Sequence, residues 1–356
     1  MPNKILAINL GATSTKIAYY EDENCVKKVN LAHDAKALGE FAEILDQYEF
    51  RLNAIKTFIE SEGISCDDLD AVVSRGGHTR PIPSGTYLIN DVMLSEIRSG
   101  EFGRHPCDIG SFIASELCDG RKAVPMVVDP PVTDEFEDLA HISGLKAIPR
   151  VSRFHALNQK AMAREAAADM HRAYEDLNLI VVHMGGGISV CAHKKGRMID
   201  ANNGLEGEGP YSTNRSGSLC ASHVVELCFK EGYSKDKVLK LINGKGGLID
   251  FLGTTDLIEV ENRIADGDAE AKLYFDGICY QTAKEIGAMA AVLSGDVDGI
   301  VLTGGMANSK RLTSEIKKRV EFISDVYIYP GENEMKALMQ GVLRVLRHEC
   351  ELSVLK

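Results

Sequence analysis

The sequence predicts a duplicated α/β fold made of two similar domains. Its 356 residues are enough for two hydrophobic cores, and the composition, 44% hydrophobic and 26% charged, is typical of a globular protein. A strand, a glycine-containing tip and a second strand occur near the N-terminus and again near the middle of the chain. In each half, an amphipathic helix and a strand ending in Gly-Gly follow this hairpin. The repeated order of elements indicates an internal duplication.

The first half begins with KILAINLGATSTKIAYYEDENC at residues 4–25, a hairpin with Gly11 at its tip. The following helix is indicated by apolar residues at helical spacing, namely Phe50, Leu52, Ile55, Phe58 and Ile59. The segment LDAVVSRGGHTR at residues 69–80 then predicts a buried strand that ends in Gly-Gly.

The second half repeats this order with NLIVVHMGGGISVCAHKKGR at residues 178–197. Its glycine triplet lies between two strands, whereas dinucleotide and P-loop fingerprints place their glycines between a strand and a helix. An amphipathic helix around residues 278–293 and the segment VDGIVLTGGMANS at residues 297–309 complete the repeat. The second half is longer between its glycine markers, and CASHVVELCFKEGYSKDKVLKLI at residues 220–242 predicts an added helical subdomain.

Charge and cysteine content exclude several classes of protein. The formal net charge of −12 disfavours non-specific nucleic-acid binding, which depends on clustered Lys and Arg. Nine cysteines without a C-x-x-C pair favour reduced thiols over a disulfide framework or a zinc site. No apolar run is long enough to cross a membrane, and a strand begins at once at the N-terminus without a signal peptide. We therefore expect a cytoplasmic protein with no nucleic-acid or membrane partner.

The two glycine-tipped hairpins allow two interpretations. Glycine accepts positive φ and lets backbone amides approach a ligand, so such a tip is either a plain turn or a phosphate cradle. A single hairpin favours the plain turn. Two such tips facing each other across a cleft between duplicated domains would grip a polyphosphate from both sides, and the repetition therefore favours the cradle.

Three motifs resemble those of the butyrate kinases, within the acetate and propionate kinase group of the actin-like ATPase superfamily. These motifs are AINLGATSTK, HMGGGISV and GLEGEGPYSTNRSGSL, and the likeness runs over essentially the whole chain. The resemblance implies duplicated ribonuclease H-like domains of the actin-like ATPase type, with an interdomain cleft. It also implies reversible transfer of the ATP γ-phosphoryl group to butyrate, or to a similar short or branched-chain carboxylate. The products would be ADP and butanoyl phosphate, with assistance from Mg²⁺.

The resemblance also implies a set of catalytic residues: Arg75 in the acyl site, Arg215 bridging substrate and phosphoryl group, Asp129, and the histidines His155 and His183 that contact the phosphoryl group in transit. Guanidinium groups suit both carboxylate and phosphoryl oxygens because they offer two parallel donors and stay charged. Each residue also has a structural alternative: a surface ion pair for an arginine, a turn cap for Asp129, and a packing role for a histidine. His105 matches a further family histidine but lies outside any glycine motif.

Nucleotide and metal residues follow from the same resemblance. The nucleotide-binding set comprises Asn9, Gly11, Thr13, Ser14, Lys16, Gly185, Gly186, Gly187, Gly304 and Gly305, with the last two beneath the adenosine. The Mg²⁺ set comprises Asn9, Asp129 and Glu334, although Glu332 is an alternative to Glu334 and a first-turn helix glutamate would explain either one. Gly186 departs from the acetate kinases, which carry an asparagine there, so no side-chain role is carried over to it.

We expect an N-terminal domain at residues 1–152 for the acyl substrate and phosphate, completed by a C-terminal helix within 331–356. A nucleotide-binding domain would occupy residues 153–330. The family suggests a homodimer or an assembly of dimers. Two alternatives stay open: an actin- or chaperone-like ATPase switch, and a sugar kinase in which Asp129 would be a base. The sequence leaves the preferred acyl chain open, because one methylene changes affinity by only about 0.8 kcal/mol.

Overall fold

The chain forms two compact units. The computed structural model describes residues 1–331 and 333–356, except for the side chain of Ala35. The first unit comprises Met1–Asp134 and Asn333–Lys356, and the second comprises Glu135–Glu332. Glu332, the alternative metal residue, lies outside the described residues. Across the described chain, every helix is too short or too polar to cross a lipid bilayer.

Runs of strands are interspersed with runs of helices along the described chain. The strands are β1 (Lys4–Leu10), β2 (Ser14–Glu21), β3 (Asn24–Ala32), β4 (Ala71–Ser74), β5 (Thr86–Leu88), β6 (Val124–Val128), β7 (Asn178–Met184), β8 (Ile188–Lys194), β9 (Arg197–Ala201), β10 (Gly299–Gly304), β11 (Val326–Pro330) and β12 (Ser353–Val354). The α-helices are α1 (Ala35–Leu38), α2 (Tyr48–Ser61), α3 (Asp91–Ser99), α4 (Cys107–Cys118), α5 (Ala156–Asp169), α6 (Ala221–Phe229), α7 (Lys235–Ile242), α8 (Leu248–Leu252), α9 (Leu257–Ala265), α10 (Ala269–Val292), α11 (Lys310–Val320) and α12 (Glu334–Leu346).

The first unit is built on a seven-stranded mixed sheet of order β12-β5-β6-β4-β1-β2-β3. Strands β1, β2 and β3 form an antiparallel meander, while β1, β4 and β6 run parallel to one another. Strand β1 is central, and six of its seven residues are buried, which explains its nearly unbroken apolar sequence. Helices α2, α4 and α12 pack near these strands.

The second unit repeats this topology in a five-stranded sheet of order β11-β10-β7-β8-β9. Strands β7, β8 and β9 form the antiparallel meander, and β7, β10 and β11 are parallel. The order matches the β6-β4-β1-β2-β3 part of the first sheet strand for strand. The predicted duplication of an α/β domain with a mixed sheet is therefore confirmed.

The unit boundary follows from contacts of the segment after β6. Glu137 N donates a hydrogen bond to Ile199 O at 3.0 Å, and the rings of Phe136 and Phe154 stack with centroids 5.9 Å apart. These contacts attach residues 135–152 to the second unit, whereas the sequence-based boundary lay at 152. Helix α5 packs on β7 and β10 of the second unit. Helix α12, near the C-terminus, packs on β1, β4 and β6 of the first unit.

The extra residues of the second half form helices α6 to α9 between β9 and α10. The segment predicted as helical at 220–242 is divided into α6 and α7. Gly232, with φ of +70°, lies in the turn between them, and the Ser234 hydroxyl accepts from Lys237 N at the start of α7. The predicted helical insertion is therefore present as several short helices.

Candidate active site

In the first unit, candidate residues lie at the carboxyl ends of three neighbouring parallel strands. Asn9 is the penultimate residue of β1, Arg75 follows β4, and Asp129 follows β6. Ile8 pairs with Ser74, and Ser74 pairs with Val127, so the three strands end at nearly the same level. Ligands of α/β proteins bind at this end of parallel strands. The sheet thus collects residues that are far apart in the sequence.

Glu334 joins two of these residues into a cluster. Asn9 Nδ2 donates to Glu334 Oε2 at 2.5 Å, and Arg75 Nη1 lies 3.6 Å from Glu334 Oε1. Asn9 is 4% exposed, and the Glu334 side chain is 13% exposed. Glu334 is the first residue of α12, where the helix dipole favours a carboxylate. The cluster combines amide and carboxylate oxygens with one guanidinium, which is suited to a hard cation and an anion.

Asp129 has an unusual backbone conformation. Its φ of +40° is uncommon for a residue with a side chain, and the residue is 3% exposed. Its Oδ1 accepts from Gly85 N at 2.8 Å, and its own N–H donates to Gly85 O at 2.9 Å. These reciprocal bonds fix the turn after β6. Such strain is often retained at functional sites, so the turn-capping role and a functional role are compatible here.

His105 lies near Arg75 and is held as a neutral imidazole. Burial, followed by the charge of Arg75, lowers the pKa of His105 to about 4. Cys107 N donates to His105 Nδ1 at 3.2 Å, which leaves the ring proton on Nε2. The buried Asp108 carboxylate accepts from the backbone amides of His105 and His78, at 2.8 and 3.0 Å. The start of α4 therefore orients His105.

The first hairpin tip is supported by a buried arginine that sequence analysis missed. Arg51, on α2, is fully buried and donates to Ala12 O and Ser14 O, each at 3.1 Å. A third bond reaches the Thr15 hydroxyl at 3.2 Å. Gly11 N donates to Ser14 O at 2.9 Å and closes the turn. Of the other predicted nucleotide residues, Thr13 is exposed at the tip, and Lys16 lies opposite Asn9 in the β1–β2 pair.

In the second unit, His183 holds the position that Asn9 holds in the first. His183 is the penultimate residue of β7 and pairs with Thr303 of the parallel strand β10. His183 Nδ1 donates to Asn158 Oδ1 at 2.7 Å, in the first turn of α5. The rings of His155 and His183 stack with centroids 4.0 Å apart. The structure therefore brings the two predicted histidines together.

The fold does not require glycine at positions 186 and 187 of the triplet. Gly186 and Gly187 do not have positive φ. A Cβ at Gly186 would meet Asn214 Oδ1 at 3.4 Å, and one at Gly187 would meet Arg215 side-chain atoms at 3.9 Å, both ordinary contact distances. Gly185 N donates to Gly187 O at 2.9 Å across the tip. Since the chain itself tolerates side chains here, the glycines fit a ligand that approaches the backbone.

Gly304 and Gly305 differ in what requires them. Gly304 has φ of +92°, and a Cβ there would lie 2.3 Å from Met184 O, so the fold requires glycine. Gly305 is exposed and has no positive φ, and no atom of the described residues lies within 4 Å of an ideal Cβ there. Sequence analysis assigned both to the adenosine end. The structure gives Gly304 a sufficient packing reason, whereas Gly305 has open space beside it.

Arg215 carries a buried donor without a partner. Its Nη1 donates to Asn214 Oδ1 at 3.0 Å, but its Nε is buried and has no hydrogen-bond partner within the described chain. Burial lowers the pKa of Arg215. The Nδ2 of Asn158 is likewise buried, without a partner among the described residues. Because buried donors are normally satisfied, each of these two donors is available to a ligand or an ordered water.

Several residues of these clusters were not predicted. Asn158 and Gln159 are 2% and 0% exposed in the first turn of α5, and Ser189 on β8 is 1% exposed. The signal was the run Asn-Gln-Lys at residues 158–160, polar residues on the otherwise apolar face of a helix. Arg51 gave no such signal, because a charged residue in an amphipathic helix is ordinarily solvated.

Comparison with known proteins identifies the family. The sequence profile described as the acetokinase family matches residues 146–342, more than half of the chain. The chain belongs to the acetokinase family. Acetate kinase from Porphyromonas gingivalis is similar in structure, with a TM-score of 0.79 and 21% identity, over 97% of this chain and all of that one. A propionate kinase from Francisella tularensis has a TM-score of 0.75 and 19% identity, over 95% of this chain and 98% of that one. Acetate kinase from Entamoeba histolytica has a TM-score of 0.74 and 17% identity, over the same shares.

These structural similarities confirm the predicted fold class, since the chain has the duplicated α/β fold of acetate and propionate kinases. Family membership makes the chain an ATP-dependent carboxylate kinase. Enzymes of this family use ATP or ADP with Mg²⁺ and short-chain carboxylates. The donor chemistry of the first-unit cluster fits that metal, since Mg²⁺ prefers carboxylate and amide oxygens. Glu334 is one such donor, and Asn9 is held against it.

Proposed function

We propose that this enzyme reversibly transfers the γ-phosphoryl group of ATP to butyrate, or to a similar short or branched-chain carboxylate, giving ADP and butanoyl phosphate. The observation that carries the proposal is Arg215, a half-buried guanidinium whose Nε is buried and which makes no ion pair within the described chain. A buried cation without a carboxylate partner is costly unless an anion binds beside it. A phosphoryl group in transit is such an anion.

The proposed chemistry needs no base at the acceptor. The carboxylate is already ionised at neutral pH, so the enzyme must position it and neutralise the charge on the equatorial oxygens. We assign Arg75 to the carboxylate, and Arg215, His155 and His183 to the transferring phosphoryl group. A planar guanidinium offers the carboxylate two parallel donors.

We assign Asn9, Asp129 and Glu334 to the metal, and the glycine-containing segments to the nucleotide. Mg²⁺, when bound, neutralises charge on the β- and γ-phosphate oxygens. Gly186 and Gly187 offer backbone amides to the phosphates, and Gly185, whose own N–H donates to Gly187 O, closes the tip that presents them. Gly305 offers open space for the adenosine end, and the tip from Gly11 to Ser14, with Lys16 beside it, is assigned to phosphate.

Acyl hydroxamate formation tests the reaction. The protein is mixed with ATP, Mg²⁺, hydroxylamine and one carboxylate from the series acetate, propionate, butyrate, isobutyrate and valerate. We expect hydroxamate in every reaction that the enzyme supports, with the highest kcat/KM for butyrate or isobutyrate. A maximum at acetate would reject the assigned substrate but keep the carboxylate kinase.

The same assay separates the two alternative functions. Release of phosphate at a rate independent of carboxylate would indicate an ATPase switch. Phosphorylation of a sugar hydroxyl, without hydroxamate, would indicate a sugar kinase, with Asp129 as the base. Reactions without carboxylate give the background rate that each comparison needs.

We further propose a homodimer formed through helix α6. This helix buries none of its residues within the described chain, and Val225 and Phe229 are 54% and 87% exposed. Its sequence, ASHVVELCF, contains a single charged residue. A chain of net charge −12 meets its own copy with the least repulsion through such a face.

Phe229→Glu should convert a dimer to a monomer in sedimentation experiments. Phe322→Glu, at a phenylalanine that is 83% exposed elsewhere, should not.

A further inference from the structure

We propose that a buried chain of hydrogen bonds in the second unit fixes the tautomer of His155, with its proton on Nε2. The chain runs from His155 through Ser189, Gln159, His193 and Tyr174. This inference rests on the proposed function only for its catalytic consequence, namely that His155 gives the phosphoryl group a neutral N–H donor. The tautomer itself is a property of the protein without substrate.

The orientation of Gln159 sets the direction of the chain. Gln159 Nε2 lies 3.1 Å from Ser189 O and 3.2 Å from Ser189 Oγ. A backbone carbonyl can only accept, so the group facing it must be the amide nitrogen. The carbonyl oxygen of Gln159 therefore faces His193, where Nε2 lies 3.2 Å from it. His193 Nε2 must then carry a proton and donate it.

The far end of the chain is consistent with that direction. His193 is fully buried, and burial, followed by the charges of Lys160 and Arg164, lowers its pKa well below 6.5. A neutral His193 with its proton on Nε2 has a lone pair on Nδ1. The Tyr174 hydroxyl lies 2.7 Å from this Nδ1 and donates to it. Lys160 and Arg164 both lie 5.5 Å from the centre of the Tyr174 ring, and Lys160 pairs with Glu135 at 2.8 Å.

The near end determines the tautomer of His155. Ser189 Oγ accepts from Gln159 Nε2. Within the described chain, His155 Nδ1, 3.1 Å away, is the one acceptor in reach of the Ser189 hydroxyl proton, so Ser189 donates to it. His155 Nδ1 then accepts, and the ring proton of a neutral His155 resides on Nε2. His183 has the opposite arrangement, because its Nδ1 donates to Asn158 Oδ1 at 2.7 Å. The stacked pair therefore presents one Nε2–H and one Nε2 lone pair.

These opposite tautomers have a chemical consequence for phosphoryl transfer. His155 offers a hydrogen-bond donor at Nε2 without a positive charge, while Nε2 of His183 donates only after the ring binds a second proton. Two imidazolium rings with centroids 4.0 Å apart would repel each other, so a fixed neutral donor avoids that cost. Within the described chain, the side chains of Gln159, His193 and Tyr174 make no hydrogen bond to the His155 ring, although Gln159 N donates to His155 O at 2.9 Å. These side chains act as positioning groups through Ser189.

Nitrogen NMR of the full-length protein, with ¹⁵N-labelled histidine, tests the assignment without substrate. In the wild type we expect His155 to show an unprotonated Nδ1 and a protonated Nε2, and His183 the reverse. A His155 with its proton on Nδ1 would overturn the proposal. Gln159→Glu should invert His155 at a pH that keeps the carboxyl group ionised. A carboxylate only accepts, so it loses the bond to Ser189 O and takes the Ser189 hydroxyl proton instead. Ser189 then donates to residue 159 and accepts from His155 Nδ1.

The control is Gln281→Glu, since Gln281 Oε1 accepts from Tyr211 N and a carboxylate can do the same. That variant should leave both histidine spectra and the activity unchanged. If Gln159→Glu does not fold, Ser189→Ala breaks the link between the chain and His155. Its His155 should then exchange between both tautomers, and an unchanged His155 spectrum in either folded variant would contradict the proposal.

Kinetics separate the tautomer from the proposed function. Gln159→Glu should lower kcat about 10-fold or more, as expected for an imidazole held in the wrong tautomer, with little change in the KM for ATP. Asn158→Asp should not invert His155, because Asn158 contacts His183. An inverted His155 with unchanged kcat would exclude His155 from the phosphoryl site while leaving the tautomer assignment intact.

Discussion

The two halves place different chemistry at equivalent positions. In the first unit, Asn9 donates to Glu334 at the start of α12, and in the second, His183 donates to Asn158 in the first turn of α5. Asn9 and His183 are both the penultimate residue of the central strand that begins the meander. The duplicated fold therefore places the penultimate residue of the central strand against the first turn of a helix in both units. The side chains then diverged.

The divergence teaches how one scaffold supports two tasks. The first-unit contact has a carboxylate with Arg75 Nη1 at 3.6 Å, a combination of charges suited to metal and carboxylate. The second-unit contact joins an imidazole to an uncharged amide, beside buried donors without partners. Opposite charges share the first cluster, whereas hydrogen-bond donors dominate the second. We therefore expect substitutions in the two clusters to change different kinetic parameters.

The hairpin tips differ in a similar way. Arg51 holds the first tip through the carbonyl groups of Ala12 and Ser14. The second tip is closed by its own Gly185–Gly187 hydrogen bond, and the Ser212 hydroxyl donates to Gly186 O. A side-chain clamp therefore rigidifies one tip, and glycine leaves the backbone of the other accessible.

The largest expected effect is at Arg215, in the second unit. Arg215→Ala should lower kcat about 100- to 1,000-fold, because one preformed donor to the charge of the transition state is lost. The KM values for ATP and carboxylate should change much less. Lysine should rescue poorly, since it lacks the planar fork. The exposed Arg319→Ala is the matched control in the same unit. A near-normal kcat in folded Arg215→Ala would remove Arg215 from the reaction.

The corresponding change in the first unit is Glu334→Gln. It should increase the Mg²⁺ concentration needed for half-maximal activity about 10- to 100-fold, because a carboxylate donor becomes an amide. Titration of activity with Mg²⁺ at saturating ATP measures this. Glu349→Gln, at an exposed glutamate beyond α12, should have no effect. If Glu334→Gln instead lowers kcat at every Mg²⁺ concentration equally, the contrast between the clusters would be lost.

A smaller effect distinguishes the adjacent glycines of β10 and its turn. Gly304→Ala should reduce the free energy of unfolding by at least about 1–3 kcal/mol, since its φ is +92° and a Cβ meets Met184 O. Gly305→Ala should leave urea unfolding unchanged. Gly305→Trp should raise the KM for ATP while stability is retained. Unaltered ATP affinity in that variant would exclude Gly305 from the adenosine site.

The smallest expected effect is the pH dependence that His105 contributes. Its pKa of about 4 lies below the value of about 6.5 for an unfolded histidine, so the unfolded chain binds more protons between those values. The free energy of unfolding should therefore fall as pH decreases from about 6.5 to about 4. Arg75→Gln should raise the pKa of His105 and weaken this dependence. NMR titration of His105 in both proteins checks the direction, and an equal or lower pKa in Arg75→Gln would contradict it.

The sequence alone determined the duplicated topology, because buried strands, glycine turns and amphipathic helices have local periodicities. In the sequence, Asn9 and His183 each stand two residues before the first glycine of their hairpin tips. Residues such as Asn158, Gln159 and Arg51 could not be assigned, since their partners lie on other elements and a polar residue in a helix is usually solvated. Tertiary structure also decided which glycine the fold requires, because Gly304 touches Met184 only when β7 and β10 pair. Local pattern specifies an element, whereas long-range pairing specifies what its side chains meet.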